Sequence, residues 1–398
     1  MTPKCKNENP KLPPEWEIKK LGEVCEVLDK FRKPITKKDR VAGKIPYYGA
    51  TGLLDYVSAC IFDEQLVLLG EDGAKWGTCE SSAYIIEGKS WVNNHAHVLR
   101  PNRNLINDKW LVHNLNYQDL RPYISGMTVP KLNQANMLLI PIPLPPLPEQ
   151  KRIVAILDEV FAAIGKAKEN AEKNLANARE LFESYLHNVF ANPGKDWKKK
   201  RLWEVLDMPP QNGWSPPAAN HSDTGTPVLT LSSVTGFCFR PDKVKFTSAV
   251  TDSSKKYWVH NGDLLITRSN TPELVGHVAI ASEINRPTIY PDLIMRMTPT
   301  FDLATTDFLY FQMRAPALRA EIKGKAHGAN PTMKKISNSD VKTLPIVIPP
   351  LAKQCTIVEV LKDLTAKTQN LESVYQQKVA SLDELKKSIL DKAFRGEL

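Results

Sequence analysis

Arg268, Ser269, Asn270 and Thr271 stand together at the end of an apolar run, Leu264-Leu265-Ile266-Thr267. Side chains of these types discriminate base edges: arginine suits guanine, asparagine suits adenine, and serine or threonine pairs with either. A short polar set carried directly on a buried strand is a rigid way to present them. Lys75, with Trp76 beside it, holds the corresponding place after the run Gln65-Leu66-Val67-Leu68-Leu69. A second pair of corresponding stretches is 126–131 and 330–335, which adds Lys131, Lys334 and Lys335. Lys37 and Lys38 lie in a basic loop and suit phosphate contacts, which hold a duplex without reading it. Any one of these residues reads equally well as part of a solvated turn. Recurrence at corresponding positions raises the loops above background.

Other chemistry is weaker or missing. There is no Gly-x-Gly-x-x-Gly fingerprint and no Gly-x-x-x-x-Gly-Lys-Ser/Thr phosphate loop. No Asn-Pro-Pro-aromatic or Asp-Pro-Pro-aromatic quartet of an amino-methyltransferase occurs. Pro241-Asp242 and Pro291-Asp292 could each open a nuclease carboxylate cluster, but neither is followed by a short Glu-x-Lys or Asp-x-Lys, and such pairs are common turn formers. His95 and His97 flank Ala96, so on a strand both project from one face, as two metal ligands would. With no third ligand in sight, two half-exposed strand histidines are the simpler expectation. The six cysteines, at 5, 25, 60, 79, 238 and 355, have no Cys-x-x-Cys spacing and indicate neither a disulfide framework nor a zinc site.

The elements that must position these residues are set by one stretch. From Ile142 the chain reads Ile-Pro-Leu-Pro-Pro-Leu-Pro-Glu-Gln-Lys-Arg-Ile-Val, then continues without proline to Phe190. Prolines lack a ladder donor, so they are expected to end the strand 137–142. Pro148 falls in a helical first turn, where proline is tolerated best. Ile153, Leu157, Val160, Ile164, Ala167 and Ala171 then recur at helical spacing, and Leu175, Ala178, Phe182, Tyr185 and Val189 continue the stripe after a stutter. The same stretch returns at the end of the chain: Pro349-Pro350-Leu351 and Gln354 repeat Pro145-Pro146-Leu147 and Gln150, and 361–394 aligns with 157–190 without a gap. Tyr185 and Tyr375 are both expected in the helix core. Trp16, Leu21, Glu23 and Val24 likewise match Trp197, Leu202, Glu204 and Val205. The chain is therefore two copies of one unit, a globular region followed by a long helix.

With 398 residues and 42% hydrophobic content, two or three domains with real cores are expected. No run of about 18 apolar residues occurs, so no membrane span is expected. The start has no apolar segment of a signal peptide, and a cytoplasmic protein is expected. Of the formal charge of +9, residues 1–148 carry +3 and residues 191–349 carry +6, while the helices nearly balance. A basic excess confined to the globular regions favours a polyanionic partner. It disfavours the rival reading, a coiled-coil interaction protein with two adhesive domains and no DNA recognition. A stand-alone enzyme lacks every motif sought.

Along the chain, a polar start (1–12) precedes a helix over 16–27 with Leu21, Val24 and Cys25 inward. Short strands follow over 45–61, a buried strand over 65–69, a strand pair over 90–100 and a helix over 109–120. The second region repeats this plan, with strands at 228–231, 243–246 and 262–267 and a helix over 303–318. The fold class is α+β: two globular domains, 1–148 and 191–349, separated by two long helical regions, 149–190 and 350–398, in an internal two-fold repeat.

Pro-Leu-Pro-Pro-Leu-Pro-Glu-Gln-Lys-Arg-Ile-Val at 143–154 and Ile-Leu-Asp-Lys-Ala-Phe-Arg-Gly-Glu-Leu at 389–398 resemble the hallmarks of specificity subunits of type I restriction-modification systems. The resemblance covers essentially the whole chain. It implies a non-catalytic subunit, without a cofactor of its own, whose two target-recognition domains each read half of a bipartite, asymmetric sequence in double-stranded DNA. It implies that the helices pair as an antiparallel coiled coil and act as a spacer. Two methylation subunits are the implied partners, joined by restriction subunits in the full complex. Methyl donor and ATP would belong to those partners. In the repeated motifs, Glu149, Gln150, Arg152, Gln354 and Phe394 are the implied partner contacts. Lys353, Cys355 and Thr356 stand where the first copy has Glu149, Lys151 and Arg152, so the two copies are not expected to be identical in this role.

Overall fold

The structure, a computed structural model, describes residues 12–126, 128–330 and 332–398. The expectation for residues 1–12 therefore lies almost wholly outside the described residues. The chain forms two compact units. One runs up to Glu172 and takes in Gln376–Leu398; the other is Lys173–Tyr375.

In the first unit an antiparallel sheet has the strand order Cys25–Val27, Ala96–Pro101, Leu66–Gly70, Ala83–Ile86. Every residue of Leu66–Gly70 is buried, because both faces of the sheet are covered. Val67 and Leu69 pack with Trp110, Leu111 and Leu115 of the helix Asp108–Tyr117. Leu66 and Leu68, alternating to the other face, pack with Phe62, Val92 and Leu28. That side belongs to a second sheet, ordered Gly52–Val57, Ile45–Gly49, Lys89–Val92, Phe62–Asp63. The helix starts where the Asn107 side chain accepts from the Lys109 and Trp110 amides, satisfying two orphan donors of the first turn.

The second unit repeats the inner sheet with the same plan: Gln211–Asn212, Ile294–Met297, Leu264–Thr267, Val278–Ile280. Leu264 and Ile266 face Phe308, Leu309 and Phe311 of the helix Thr306–Arg314, and Leu265 faces Ala279 and Tyr290. The other sheet differs. It has three strands, ordered His221–Ser222, Val244–Thr247, Thr226–Leu229.

The segment expected as a helix over 16–27 is instead strand Glu17–Lys20, one helical turn Leu21–Val24 and strand Cys25–Val27. Leu21, Val24 and Cys25 are buried as expected. The strand forms because it pairs with Pro141–Leu144, of which Pro141 and Ile142 belong to the strand expected at 137–142 and Pro143 and Leu144 to the proline run expected to end it. Pairing there is confined to two strands, where the alternating prolines have no further neighbour to serve. The stretch expected as a strand at 137–142 ends a short helix, Gln134–Met137, before that strand begins.

The long helices are Leu147–Ala191 and Leu351–Arg395. They run antiparallel. In the first unit Lys168 pairs with Asp383 at 2.9 Å, and in the second Arg179 pairs with Glu372 at 2.6 Å. One helix ascends as the other descends by the same number of residues. Along the central helix Ile153, Leu157, Ile164, Ala171, Ala178, Phe182, Leu186 and Phe190 are buried. Tyr185, expected in the core, is 39% exposed, and Leu186 takes its place because the stripe continues in four-residue steps through 178, 182, 186 and 190. Tyr375 is half-buried. Each helix ends against an aromatic cluster: Phe394 lies 4.8 Å from Trp110 and 5.0 Å from Tyr117 in the first unit, and Phe190 lies 5.5 Å from Phe308 in the second.

Candidate nucleic-acid interface

Each unit brings its two corresponding loops together beside the buried strand. In the first, strand Leu66–Gly70 runs into Glu71 and Asp72. The Leu132 amide donates to Glu71 O at 2.8 Å, and Asp72 and Ser125 both bridge to Lys131. In the second, Ser269–Asn270 pairs with Lys334–Lys335, and the Ile336 amide donates to Arg268 O at 2.9 Å. Stretches far apart in sequence thus meet in the same way twice.

The electrostatics of the two meeting points differ. Glu71 is buried between Arg32 and Lys131, with Lys131 Nζ at 2.8 Å. Burial works against its charge, but hydrogen bonds from Lys131 and Arg32 outweigh it and hold the carboxyl below its usual range. The hydrogen bond to Glu71 in turn raises the Lys131 amine. Arg32 also reaches Asp29 at 3.1 Å and the carbonyl of Ala96. His97 is wedged between Asp29, 2.5 Å from Nδ1, and the Leu132 carbonyl, 2.7 Å from Nε2. It is fully buried rather than half-exposed, because a second layer covers its face of the strand. His95 alone is exposed, and pairs with Asp72. The oxygen and nitrogen donors of Asp29, Glu71 and His97 lie within 4.8 Å of one another, as metal ligands would. Arg32 and Lys131 already supply the countercharge there.

In the second unit an arginine, Arg268, occupies the place of Glu71. It is half-buried, with Nη1 3.5 Å from Asp292 O and Nε without a partner. Asn270 Nδ2 donates to Thr235 Oγ1 at 3.3 Å, and its Oδ1 accepts from the Thr271 amide. Thr271 and Lys335 are exposed, whereas Lys334 Nζ is tied to Gly328 O at 2.9 Å. Ser269 is only 1% exposed, so it supports the strand and does not face outward as its type suggested. In the first unit Lys37, Lys38 and Lys75 are exposed. Trp76 is a brace, its Nε1 donating to Gly70 O.

Three expected partner contacts are internal instead. Gln150 is buried: Oε1 accepts from the Asn107 amide, and Nε2 donates to the carbonyls of Leu105 and Pro145. Gln354 does the same with Thr305, Leu303 and Pro349. These side chains fasten each long helix to the cap of a neighbouring helix. Phe394 is buried in its aromatic cluster. Glu149 and Arg152 are accessible and paired at 2.7 Å, with Arg152 reaching Leu398 O. At the matching position Lys353 pairs with Asp196 at 3.1 Å, which offsets the reversed charge at the second helix start.

Sequence reasoning passed over the hairpin of the first unit, where Leu53, Leu54 and Tyr56 are exposed. Alternating apolar residues read as ordinary strand there, and only the second sheet's topology shows that this strand is an edge.

Comparison with known proteins bears on all of this. The type I restriction modification DNA specificity domain matches residues 13–173 and 194–379, most of the chain, in two copies. The specificity subunit of the type I restriction enzyme EcoKI of Escherichia coli is 27% identical over 354 residues, covering 85% of this chain and 75% of that protein. Among solved structures, a chain from work on complex assembly and conformational transition of the type I restriction-modification system superposes with a TM-score of 0.73 at 22% identity, covering 98% and 100% of the two chains. The HsdS subunit of Thermoanaerobacter tengcongensis gives 0.59 at 22% identity over 99% and 100%. Among the described residues no helix is long and apolar enough to cross a membrane. Two units built on one inner sheet, each joining two loops at the same place and each followed by a long helix, are accounted for by one family, and this chain belongs to it: the non-catalytic DNA specificity subunits of type I restriction-modification systems.

Proposed function

We propose that the chain reads a bipartite, asymmetric DNA target, residues 1–148 serving one half and residues 191–349 the other, and that it directs both methylation and cleavage to that target. The observation that carries this is the twice-repeated meeting of two loops at the end of a buried strand, with a different set of side chains at each. In the second unit Arg268, Asn270, Thr271 and Lys335 are the reading and phosphate-contacting groups. In the first, Lys37, Lys38 and Lys75 hold the backbone. Two methylation subunits dock along the helices, whose apolar Leu181, Val360, Leu371, Val374 and Leu385 stand exposed among the described residues. Burial of such residues in an assembly would relieve an unfavourable surface. Restriction subunits join in the full complex, and the work takes place in the cytoplasm, where the chromosome is.

The test is to co-express the chain with its modification subunit and map methylated sites across the host DNA. A single two-part motif with a fixed gap is expected. Exchanging residues 191–349 for those of a related subunit should change one part alone; a change in both parts, or methylation without a motif, refutes the reading.

A further inference from the structure

We propose that the hairpin of Ile45–Gly49 and Gly52–Val57 enters a groove of duplex DNA, where Leu53, Leu54 and Tyr56 discriminate bases in one half of the target. This rests on the reading that each unit serves one half of the target.

The two units share their inner sheet and their loop pair, and they part at the second sheet. An asymmetric target presents different bases to each unit but the same phosphate backbone. What differs between the units, whether the side chains on the shared loop pair or a whole layer, must therefore do the reading. The hairpin belongs to the part that differs.

Its surface fits that role. Gly52–Val57 is the edge of its sheet. Leu53, Leu54 and Tyr56 are 48%, 51% and 51% exposed. A free strand edge carrying apolar side chains invites association, so a covering partner is called for. Charge says which partner. The segment before the hairpin presents Lys33, Lys37, Lys38 and Lys44 to solvent. It is tied down rather than loose: Arg40 pairs with Asp55 at 3.0 Å and lies over the Tyr47 ring at 4.4 Å, and the Ile35 amide donates to Tyr47 Oη. Asp39 is the one exposed acid in that segment, held by Thr36. Apolar tips framed by lysines suit a duplex, in which phosphates take the lysines and thymine methyls or an opened base step take the apolar groups. A two-stranded ribbon also fits the major groove, about 12 Å wide.

The tip is rigid. Tyr47 and Val57 are buried, and Tyr84 Oη donates to Gly49 O. A Cβ at Gly49 would lie 2.5 Å from Leu54 Cδ1, so the glycine lets Leu54 lie close across its partner strand. The register skips Leu54, which sits at a bulge between Leu53 and Asp55, and the pairs Tyr48–Leu53 and Pro46–Tyr56 put Leu53 and Tyr56 on one face of the ribbon.

The experiment selects sites from a randomised duplex library with the complex of the full chain and its modification subunits. Wild type, the Leu54→Ala, Tyr56→Ala double variant and Lys37→Ala are compared. All three should melt together, because the altered side chains are exposed. Wild type should enrich a two-part motif. The double variant should lose about tenfold in preference at one or more positions of one part, with the other part intact. Lys37→Ala should weaken every sequence alike. A Leu54→Met, Tyr56→Phe variant should keep most of the preference. An unchanged motif in the double variant, or equal loss in both parts, overturns the assignment of the hairpin alone. An unchanged motif accompanied by loss of self-association in light scattering overturns it in favour of an edge-to-edge dimer. No motif with wild type overturns the bipartite reading, and this inference with it.

Discussion

Replacing Gln150 by leucine separates two roles that the same residue could have. In the structure the side chain is fully buried and makes three hydrogen bonds, with the Asn107 amide at 2.8 Å and the carbonyls of Leu105 and Pro145 at 2.9 and 2.8 Å. Leucine fills a similar volume and leaves those three backbone groups without partners. Each buried unsatisfied group costs about 1–3 kcal/mol. Partial relaxation keeps the sum nearer the low end, at about 3–5 kcal/mol. For a unit of this size, about 2–4 °C of melting temperature is lost per kcal/mol, so a fall of roughly 10 °C is expected. Gln150→Glu keeps the acceptor but sets a buried carboxylate against two carbonyl oxygens, and should fall at least as far as leucine. Calorimetry of the full chain with its modification subunit gives the transition, and co-purification gives partner binding. Gln354→Leu should behave alike in the second unit, because its three bonds are equivalent. A Gln150→Leu protein that melts within about 2 °C of wild type yet fails to retain the modification subunit would refute the internal role and restore the partner contact.

Three further outcomes follow from other parts of the structure. His277 is pushed down to about 4 by burial and then by neighbouring Arg319, with its Nδ1 accepting from the Gly236 amide. A histidine depressed below its ordinary 6.5 binds its proton in the unfolded chain first, so the second unit should hold its stability above about pH 6.5 and lose up to roughly 3 kcal/mol by about pH 4; thermal melts of His277→Gln that keep the wild-type acid slope would exclude it as the source. Asn270→Ala should relax one half-site by about 1–3 kcal/mol, whereas Lys335→Ala should weaken all sequences and reduce the salt slope by about 1; equal losses on matched and altered half-sites for Asn270→Ala would remove it from the reading set. Deleting one facing heptad from each helix, residues 169–175 and 376–382, keeps the Lys168–Asp383 and Arg179–Glu372 pairs and shortens each helix by about 10 Å; methylation of the original target should be lost, and an unchanged rate would deny the helices a spacing role.

The parts of this fold legible in the sequence are those governed by period. The long helices, their repetition and the two buried strands are written in apolar spacing. What was not legible depends on contacts between remote residues. Gln150 and Gln354 look like surface residues at helix starts, and only the helix caps they meet, more than forty positions away, make them internal. Phe394 finds Trp110 and Tyr117, which no local pattern connects to the chain's end. The proline run after Ile142 ends a strand by composition but not by pairing, and Pro143 and Leu144 continue it, since Glu17–Lys20 is the one strand neighbour of Pro141–Leu144. Strand alternation placed His95 and His97 on one face. It could not show that Asp29, Arg32 and Leu132 would close over His97 alone.

Equivalence without identity also constrains which groups can read DNA. Glu71 and Arg268 occupy the same place after the same strand, with opposite charges. A glutamate there has the chemistry to accept from cytosine, but Glu71 is buried and spent on Arg32 and Lys131. Releasing it would cost both ion pairs and leave charges unpaired in a half-buried cluster. Lys131 is held by the same network, so the loop pair of the first unit is locked. In the second unit Arg268 has only a long contact to a carbonyl, and Asn270 a long bond to Thr235 and a local one from the Thr271 amide; both can exchange these for bases at little cost. If the chain reads a bipartite target as proposed, reading in the second unit falls to its loop pair. In the first it falls to another surface, and the exposed hairpin beside the lysines of 33–44 is the surface with unengaged side chains to do it.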